Sequence, residues 1–266
     1  MLDSLNMIYE RLKQTVQTDY HRFLYASFHI ENRLTGLIGP RGVGKTTLLL
    51  QYIKEHHAHD RHCFYFSADH IYFKEMSVYE FVESLYLNQG INLFFIDEIH
   101  KYENWSQELK NLYDGFPDLR IVFSGSSSLD LVKGSYDLSR RAKMYSLPGM
   151  SFREYLSFIG LAEIEACDLH DLIMNSSKVT NALANFPGIL GHFHNYLKQG
   201  FYPFFQEDPL SYYEKILSII EKTIYEDIGS FYNLKTTNLR LLSKILNFLA
   251  SVPPGKISTY NLGKNL

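Results

Sequence analysis

Three stretches of this chain hold residue types whose spacing suits polyphosphate chemistry. The first is Gly39-Pro40-Arg41-Gly42-Val43-Gly44-Lys45-Thr46-Thr47, which fits G-x-x-x-x-G-K-T. Its glycines let the backbone turn so that successive N–H groups face phosphate oxygens with no Cβ in the way. Gly39, Pro40, Arg41, Gly42, Val43, Gly44, Lys45, Thr46 and Thr47 are therefore the expected nucleotide-binding residues, with Lys45 reaching the β/γ-phosphates and the Thr46 hydroxyl offered to Mg2+. The second stretch is Leu93-Phe94-Phe95-Ile96-Asp97-Glu98, where two adjacent carboxylates close an apolar run. Such a pair is costly there unless a cation or water needs it, so Asp97 is expected to hold Mg2+ through its water shell and Glu98 to polarise an attacking water. The third is Ser124-Gly125-Ser126-Ser127-Ser128, in which Ser124 or Ser126 could hydrogen-bond the γ-phosphate or that water. Arg140-Arg141 add two cations: either could stabilise charge on a γ-phosphate, in its own chain or from a neighbouring subunit, or serve as a surface ion-pair partner, with Arg141 the candidate catalytic arginine.

The elements needed to position these residues are legible around them. Arg33 to Ile38 suits a short buried strand before the loop, and Thr46 to Ile53 the helix after it. Cys63 to Ser67 forms a second strand pattern, and Ser77 to Leu87 a helix with Ser77 as N-cap and Glu80 as its capping-box partner. Four apolar residues before Asp97 fit a strand buried on both faces of a parallel sheet. Trp105 to Tyr113 is an amphipathic helix ending at Gly115, Leu119 to Phe123 a further strand, Leu129 to Val132 a helix and Ala142 to Leu147 a fifth strand. This alternation is that of an α/β fold.

The chain has 266 residues, 45% of them hydrophobic, and a formal net charge of −3. It can bury a sizeable core, and it has no global basic field that would draw it to nucleic acid or anionic lipid. Cys63 and Cys167, the two cysteines, support no disulfide framework and are expected to be buried small hydrophobes. No signal pattern or membrane-length apolar run is evident, which points to the cytoplasm and to no membrane partner. Residues 1–30 suit a helix packed on the main domain, with Arg22 and His29 in the segment that in many phosphate-loop proteins nears the adenine. His56-His57-Ala58-His59-Asp60-Arg61-His62 lacks a matching second cluster and is expected to be a solvated helix terminus rather than a metal site.

These motifs, together with Phe95-Ile96-Asp97-Glu98-Ile99-His100-Lys101 and Leu147-Pro148-Gly149-Met150-Ser151-Phe152-Arg153-Glu154-Tyr155-Leu156, occur in one order across residues 34–156. In this the chain resembles the AAA-type ATPases of the additional-strand class. Within that class it is similar to bacterial and archaeal ATP-binding proteins whose AAA core is followed by a small helical domain and a winged helix. The resemblance implies ATP as nucleotide and a three-layer αβα P-loop fold with parallel sheet order 5-1-4-3-2. It also implies the roles derived above for Lys45, Asp97 and Glu98. Where the family has Gly-Arg before its fifth strand, this chain has Ser139-Arg140-Arg141; where it has a Gly-Gly-x-Pro turn, the nearest match is Asn185-Phe186-Pro187-Gly188, which makes Pro187 a candidate nucleotide contact.

Beyond residue 157 helical periodicity dominates, with short helices expected over 168–177, 178–186 and 190–200 and longer ones over 211–228 and 238–250. Between them, the aromatic loop Phe201-Tyr202-Pro203-Phe204-Phe205 is expected to pack onto the core. The expected organisation is an ATPase domain over 1–157, an all-α lid-like domain over 158–235, and over 236–266 the beginning of a winged helix cut short before its recognition helix. The expected function is Mg2+-dependent hydrolysis of ATP coupled to conformational change, with a homo-oligomer and a DNA or protein partner acting through the missing C-terminal region left open. The alternatives are a nucleotide-dependent switch or scaffold with negligible turnover, a small-molecule kinase, and a DNA-binding regulator, the last disfavoured by the acidic chain.

Overall fold

The computed structural model describes residues 2–126, 138, 140–184, 186–232, 234–253, 255–256 and 258–265. At its centre is a five-stranded parallel sheet built from β1 (Leu34–Gly39), β2 (Cys63–Ser67), β3 (Leu93–Asp97), β4 (Arg120–Ser126) and β5 (Ala142–Ser146). The strand order β2-β3-β4-β1-β5 is the expected 5-1-4-3-2 viewed from the other edge. Every residue of β3 is buried, and β1 and β4 are nearly so, which is why these strands lack polar alternation. Because all strands run the same way, Gly39, Ser67, Asp97 and Ser126 end on one rim of the sheet. The crevice outside the carboxyl ends of parallel strands is where open α/β folds bind ligands.

Helices α1 (Leu2–Thr15), α2 (Lys45–His56), α3 (Val78–Gln89) and α4 (Trp105–Gly115) cover the sheet. The capping box of Ser77 and Glu80 forms at the start of α3. The Gln51 side chain in α2, although buried, is satisfied because it donates to the Gln17 and Tyr20 carbonyls, each at 2.8 Å, and so fixes the segment after α1 beside the phosphate loop. The helix expected over Leu129–Val132 lies outside the described residues.

After β5 the chain enters α5 (Phe152–Phe158), α6 (Leu169–Met174), α7 (Ser176–Ala184) and α8 (Ile189–Gln199). It continues through α9 (Tyr212–Lys222), a π-helical turn (Thr223–Ile228), α10 (Gly229–Tyr232), α11 (Thr236–Ser251) and α12 (Thr259–Asn265). Met150, Tyr155, Leu156, Phe205 and Tyr212 form a second buried cluster that attaches these helices to the end of the sheet domain. Of the aromatic loop, Phe205 is buried there, Tyr202 and Phe204 are half-buried and Phe201 is exposed, so the expected packing onto the core holds only in part. Cys63 is buried too, but Cys167 is exposed, because it sits in the connection before α6, among exposed neighbours with no apolar surface to cover it.

The Ser151-Phe152-Arg153-Glu154 motif acquires a structural meaning. Ser151 and Glu154 form a capping box on α5, while Glu154 Oε1 accepts from Arg22 Nε at 2.8 Å and from the Phe23 amide at 2.9 Å. Arg22 in turn donates to the Pro148 carbonyl at 2.8 Å and to the Val43 carbonyl inside the phosphate loop. Burial alone would raise the Glu154 carboxyl, but the hydrogen bonds from Arg22, Phe23 and Ser151 outweigh it and hold the pKa below its usual 4.5. The stabilisation from this ionised group is complete at neutral pH and is lost as the pH falls through its depressed pKa. Glu154→Gln is expected to lower the unfolding free energy by about 3 kcal/mol at pH 7. In urea melts the gap to wild type should close as the pH is taken below that pKa.

Candidate nucleotide site

The loop between β1 and α2 depends on two left-handed glycines, Gly42 at φ 80° and Gly44 at φ 96°, the latter capping α2. A Cβ on Gly42 would also stand 2.8 Å from the Phe204 ring, so the residue serves both the turn and a close contact with the aromatic loop. Lys45 is buried and donates to the Gly39 and Pro40 carbonyls, each at 3.0 Å. Burial lowers its pKa, with Glu98 and Asp97 opposing that effect.

Asp97 collects donors from three neighbouring elements. Its Oδ2 accepts from Thr46 Oγ1 at 2.6 Å and from the Tyr65 hydroxyl at 2.9 Å, while Oδ1 accepts from Ser124 Oγ and from the Glu98 amide at 3.1 Å. Thr46 and Asp97 thus present two hard oxygen donors side by side, a set that fits Mg2+, which binds few protein oxygens and keeps several waters. Glu98 stands at φ 51°, the one non-glycine with positive φ among the described residues. Burial, and then the neighbouring Asp97 charge, raise the Glu98 pKa despite Lys45 and Arg41 nearby, which makes this carboxylate a stronger base.

A second polar cluster joins the loop to the C-terminal helices. Asp227, in the π-helical turn, accepts from Arg41 Nη2 at 2.6 Å and Arg41 Nε at 3.0 Å, and lies 3.6 Å from Lys101 Nζ. Lys101 also pairs with Glu226 at 2.9 Å. Burial would raise the Asp227 carboxyl, but Arg41 reverses the sign and leaves it below the usual carboxylate range. Ser126 Oγ donates to Asp227 at 3.5 Å, and the Ser126 amide donates to His100 Nδ1 at 3.2 Å.

Residues 31–156 match the family described as "AAA domain". They form an AAA-type P-loop ATPase domain. Over 255 residues the chain is 32% identical to the uncharacterized protein MJ1637 of Methanocaldococcus jannaschii, the match covering 87% of this chain and 52% of that protein. The chain therefore spans about half the length of this curated relative. Among solved structures, the Aquifex aeolicus DnaA bound to AMPPCP is similar with 15% identity and a TM-score of 0.37, covering 98% of this chain and 83% of that one. A replication initiator DnaA bound to AMPPCP and single-stranded DNA gives 17% and 0.38, covering 91% and 82%. C. elegans PCH-2 gives 16% and 0.34, covering 59% and 43%.

Within the AAA domain, Lys45, Thr46, Asp97, Glu98, Ser124 and Ser126 gather at one rim of the sheet. Arg141 does not join them: it precedes β5, whose first residue pairs with Leu34 at the opposite end of β1, and it binds Asp114 at 3.1 Å beside the Tyr113 ring. A role for Arg141 at the phosphates of its own chain is thereby corrected. Pro187 is exposed just ahead of α8; it is Pro203 and Phe204 that reach the loop, at Gly44 and Gly42. His56, His57 and His62 bond separately to the Tyr52 carbonyl, Asp60 and the Gly90 carbonyl. Asp227, Tyr65 and Phe204 were missed as site residues; the one local signal was an acid pair, Glu226-Asp227, set in an apolar helical run.

A cavity of about 710 Å3 opens beside Gly44, Thr46 and Thr47, walled by Val16, Tyr20 and Pro203. No helix among the described residues is long and apolar enough to cross a membrane. Asp97→Ala should leave the buried Tyr65 and Ser124 hydroxyls without their acceptor and cost at least about 2 kcal/mol in denaturant unfolding without nucleotide. Tyr65→Phe should cost about 1 kcal/mol in the same measurement.

Proposed function

We propose that this chain binds ATP with Mg2+ and hydrolyses it to ADP and phosphate, coupling turnover to a rearrangement between the AAA domain and the C-terminal helices. The observation that carries the reading is the convergence of Thr46, Ser124 and the Glu98 backbone on Asp97 directly beside the Lys45 loop. Thr46 and Asp97 would hold Mg2+, which when bound would neutralise charge on the β- and γ-phosphates. Lys45 and the loop amides bind the phosphates, and the positive end of α2 favours the same anions. Glu98, with its raised proton affinity, orients and polarises the attacking water. Ser124 or Ser126 senses the γ-phosphate. The cavity beside Thr47 suits the nucleoside, with Tyr20 and Pro203 against the base.

A switch with negligible turnover is the second reading, favoured by the Arg41–Asp227 pair that ties the loop to the C-terminal helices. Single-turnover kinetics separate the two. We also propose the division into 1–157, 158–235 and 236–266, with the last part opening a winged helix through which DNA or a protein could be engaged. Location in the cytoplasm and self-assembly belong to this reading as well; the free thiols of Cys63 and Cys167 are consistent with a reducing compartment.

Lys45→Ala is expected to abolish ATP binding in calorimetry. Glu98→Gln should bind ATP within a few-fold of wild type and lose turnover by at least about a hundredfold. EDTA should abolish hydrolysis and magnesium restore it. Hydrolysis that survives both substitutions refutes the assignment.

A further inference from the structure

His100 lies three residues beyond Asp97, in a short 3-10 turn, with only 3% of its side chain exposed. Its Nδ1 accepts the Ser126 amide hydrogen at 3.2 Å, so in the neutral ring the proton sits on Nε2. That Nε2–H is buried and has no hydrogen-bond partner. It faces two carboxylates at nearly equal range, Glu98 Oε2 at 3.5 Å and Asp227 Oδ1 at 3.9 Å. A buried donor left between two acceptors gains a full hydrogen bond from a small movement of either one. The two acceptors belong to different parts of the molecule. Glu98 ends β3, whereas Asp227 rides on the C-terminal helices and is held by Arg41 of the phosphate loop.

We propose that His100 is a positioning residue for Glu98, and that Asp227 competes with Glu98 for the same Nε2–H, so that the seating of the C-terminal helices sets the orientation of the water-polarising carboxylate. When Asp227 takes the hydrogen bond, Glu98 is left without its restraint. When Arg41 draws Asp227 away, His100 turns its donor to Glu98 and fixes the carboxylate against the rim. Asp227 lies in the π-helical turn over Thr223–Ile228, where it is buried within reach of Arg41, Lys101 and His100. The proposal rests on the hydrolytic reading above.

The test uses the chain with His100→Asn, His100→Gln, Asp227→Asn and the double variant. Asparagine keeps an acceptor for the Ser126 amide but falls short of Glu98. Glutamine extends a donor to the Nε2 position. His100→Asn should lower kcat by about tenfold or more with KM and ATP affinity within about twofold, and His100→Gln should recover most of the loss. Asp227→Asn should change kcat severalfold on its own and by less than about 1.5-fold in the His100→Asn background. Turnover of His100→Asn equal to wild type, a glutamine variant no better than asparagine, or additive effects of the two positions would each overturn the proposal. If wild-type protein neither binds nor hydrolyses ATP, the hydrolytic reading fails and this one with it. Wild-type turnover that is indifferent to residue 100 removes the positioning role alone.

Discussion

The site is organised by one buried anion. The Asp97 carboxylate ends a strand with no exposed residue, and an ionised carboxylate in such a place survives only if its oxygens are filled. The donors come from Thr46 at the start of α2, Tyr65 in β2 and Ser124 in β4, so one carboxylate ties the two neighbouring strands and the loop helix at the same rim. Register errors in β2 or β4 would turn Tyr65 or Ser124 to the opposite face and strand the charge. The requirement that the anion be satisfied therefore acts as a constraint on strand pairing, and its consequence is that the hydroxyl and carboxylate oxygens suited to a metal are in place before any ligand arrives. Such preorganisation is what electrostatic catalysis needs, since little has to rearrange when charge develops.

The phosphate loop itself is held from outside by two arginines. Arg22 comes from the N-terminal segment, anchored on Glu154, and reaches the Val43 carbonyl. Arg41 belongs to the loop and reaches out to Asp227, which is 186 residues away in sequence. In both cases a planar guanidinium makes several directed hydrogen bonds at once, which a lysine could not do with the same geometry. The segments on either side of the sheet domain in sequence are thus read at the same few residues of backbone. A change of shape in the loop would be transmitted to both.

Much of this was visible in the linear sequence, and the division has a physical basis. The strands, the phosphate loop, the Asp97–Glu98 pair and the capping box at Ser77 are local patterns, fixed by spacing within a few residues. β2 was expected over Cys63–Ser67 and occurs there, and α4 ends at Gly115 as its glycine suggests. The partners of those elements are another matter. Nothing local to Glu154 says that its carboxylate meets Arg22, 132 residues earlier, and nothing local to Asp227 says that it meets Arg41. The run over 211–228 was expected to be one helix, and the π-helical turn that holds Asp227 has no composition signature of its own. For Arg141 the sequence left two readings open, a phosphate contact and a surface ion pair; strand direction puts the start of β5 at the end of β1 away from the loop, where Arg141 pairs with Asp114.

The C-terminal helices are attached to the AAA domain in two ways that differ in stiffness. One attachment is apolar: Met150, Tyr155 and Leu156 pack with Phe205 and Tyr212, and the Met150 amide donates to the Phe201 carbonyl at 2.8 Å. Close-packed contacts of this kind resist small displacements, because any gap forfeits dispersion over many atoms. The other attachment lies at the phosphate loop itself, where Phe204 touches Gly42 and Arg41 pairs with Asp227. Its polar half can exchange partners among Lys101, His100 and Ser126, all within 4 Å of the same carboxylate. An anion entering the loop would add charge next to Arg41 and so be felt at Asp227 in the π-helical turn, while the packing around Tyr155 stays intact.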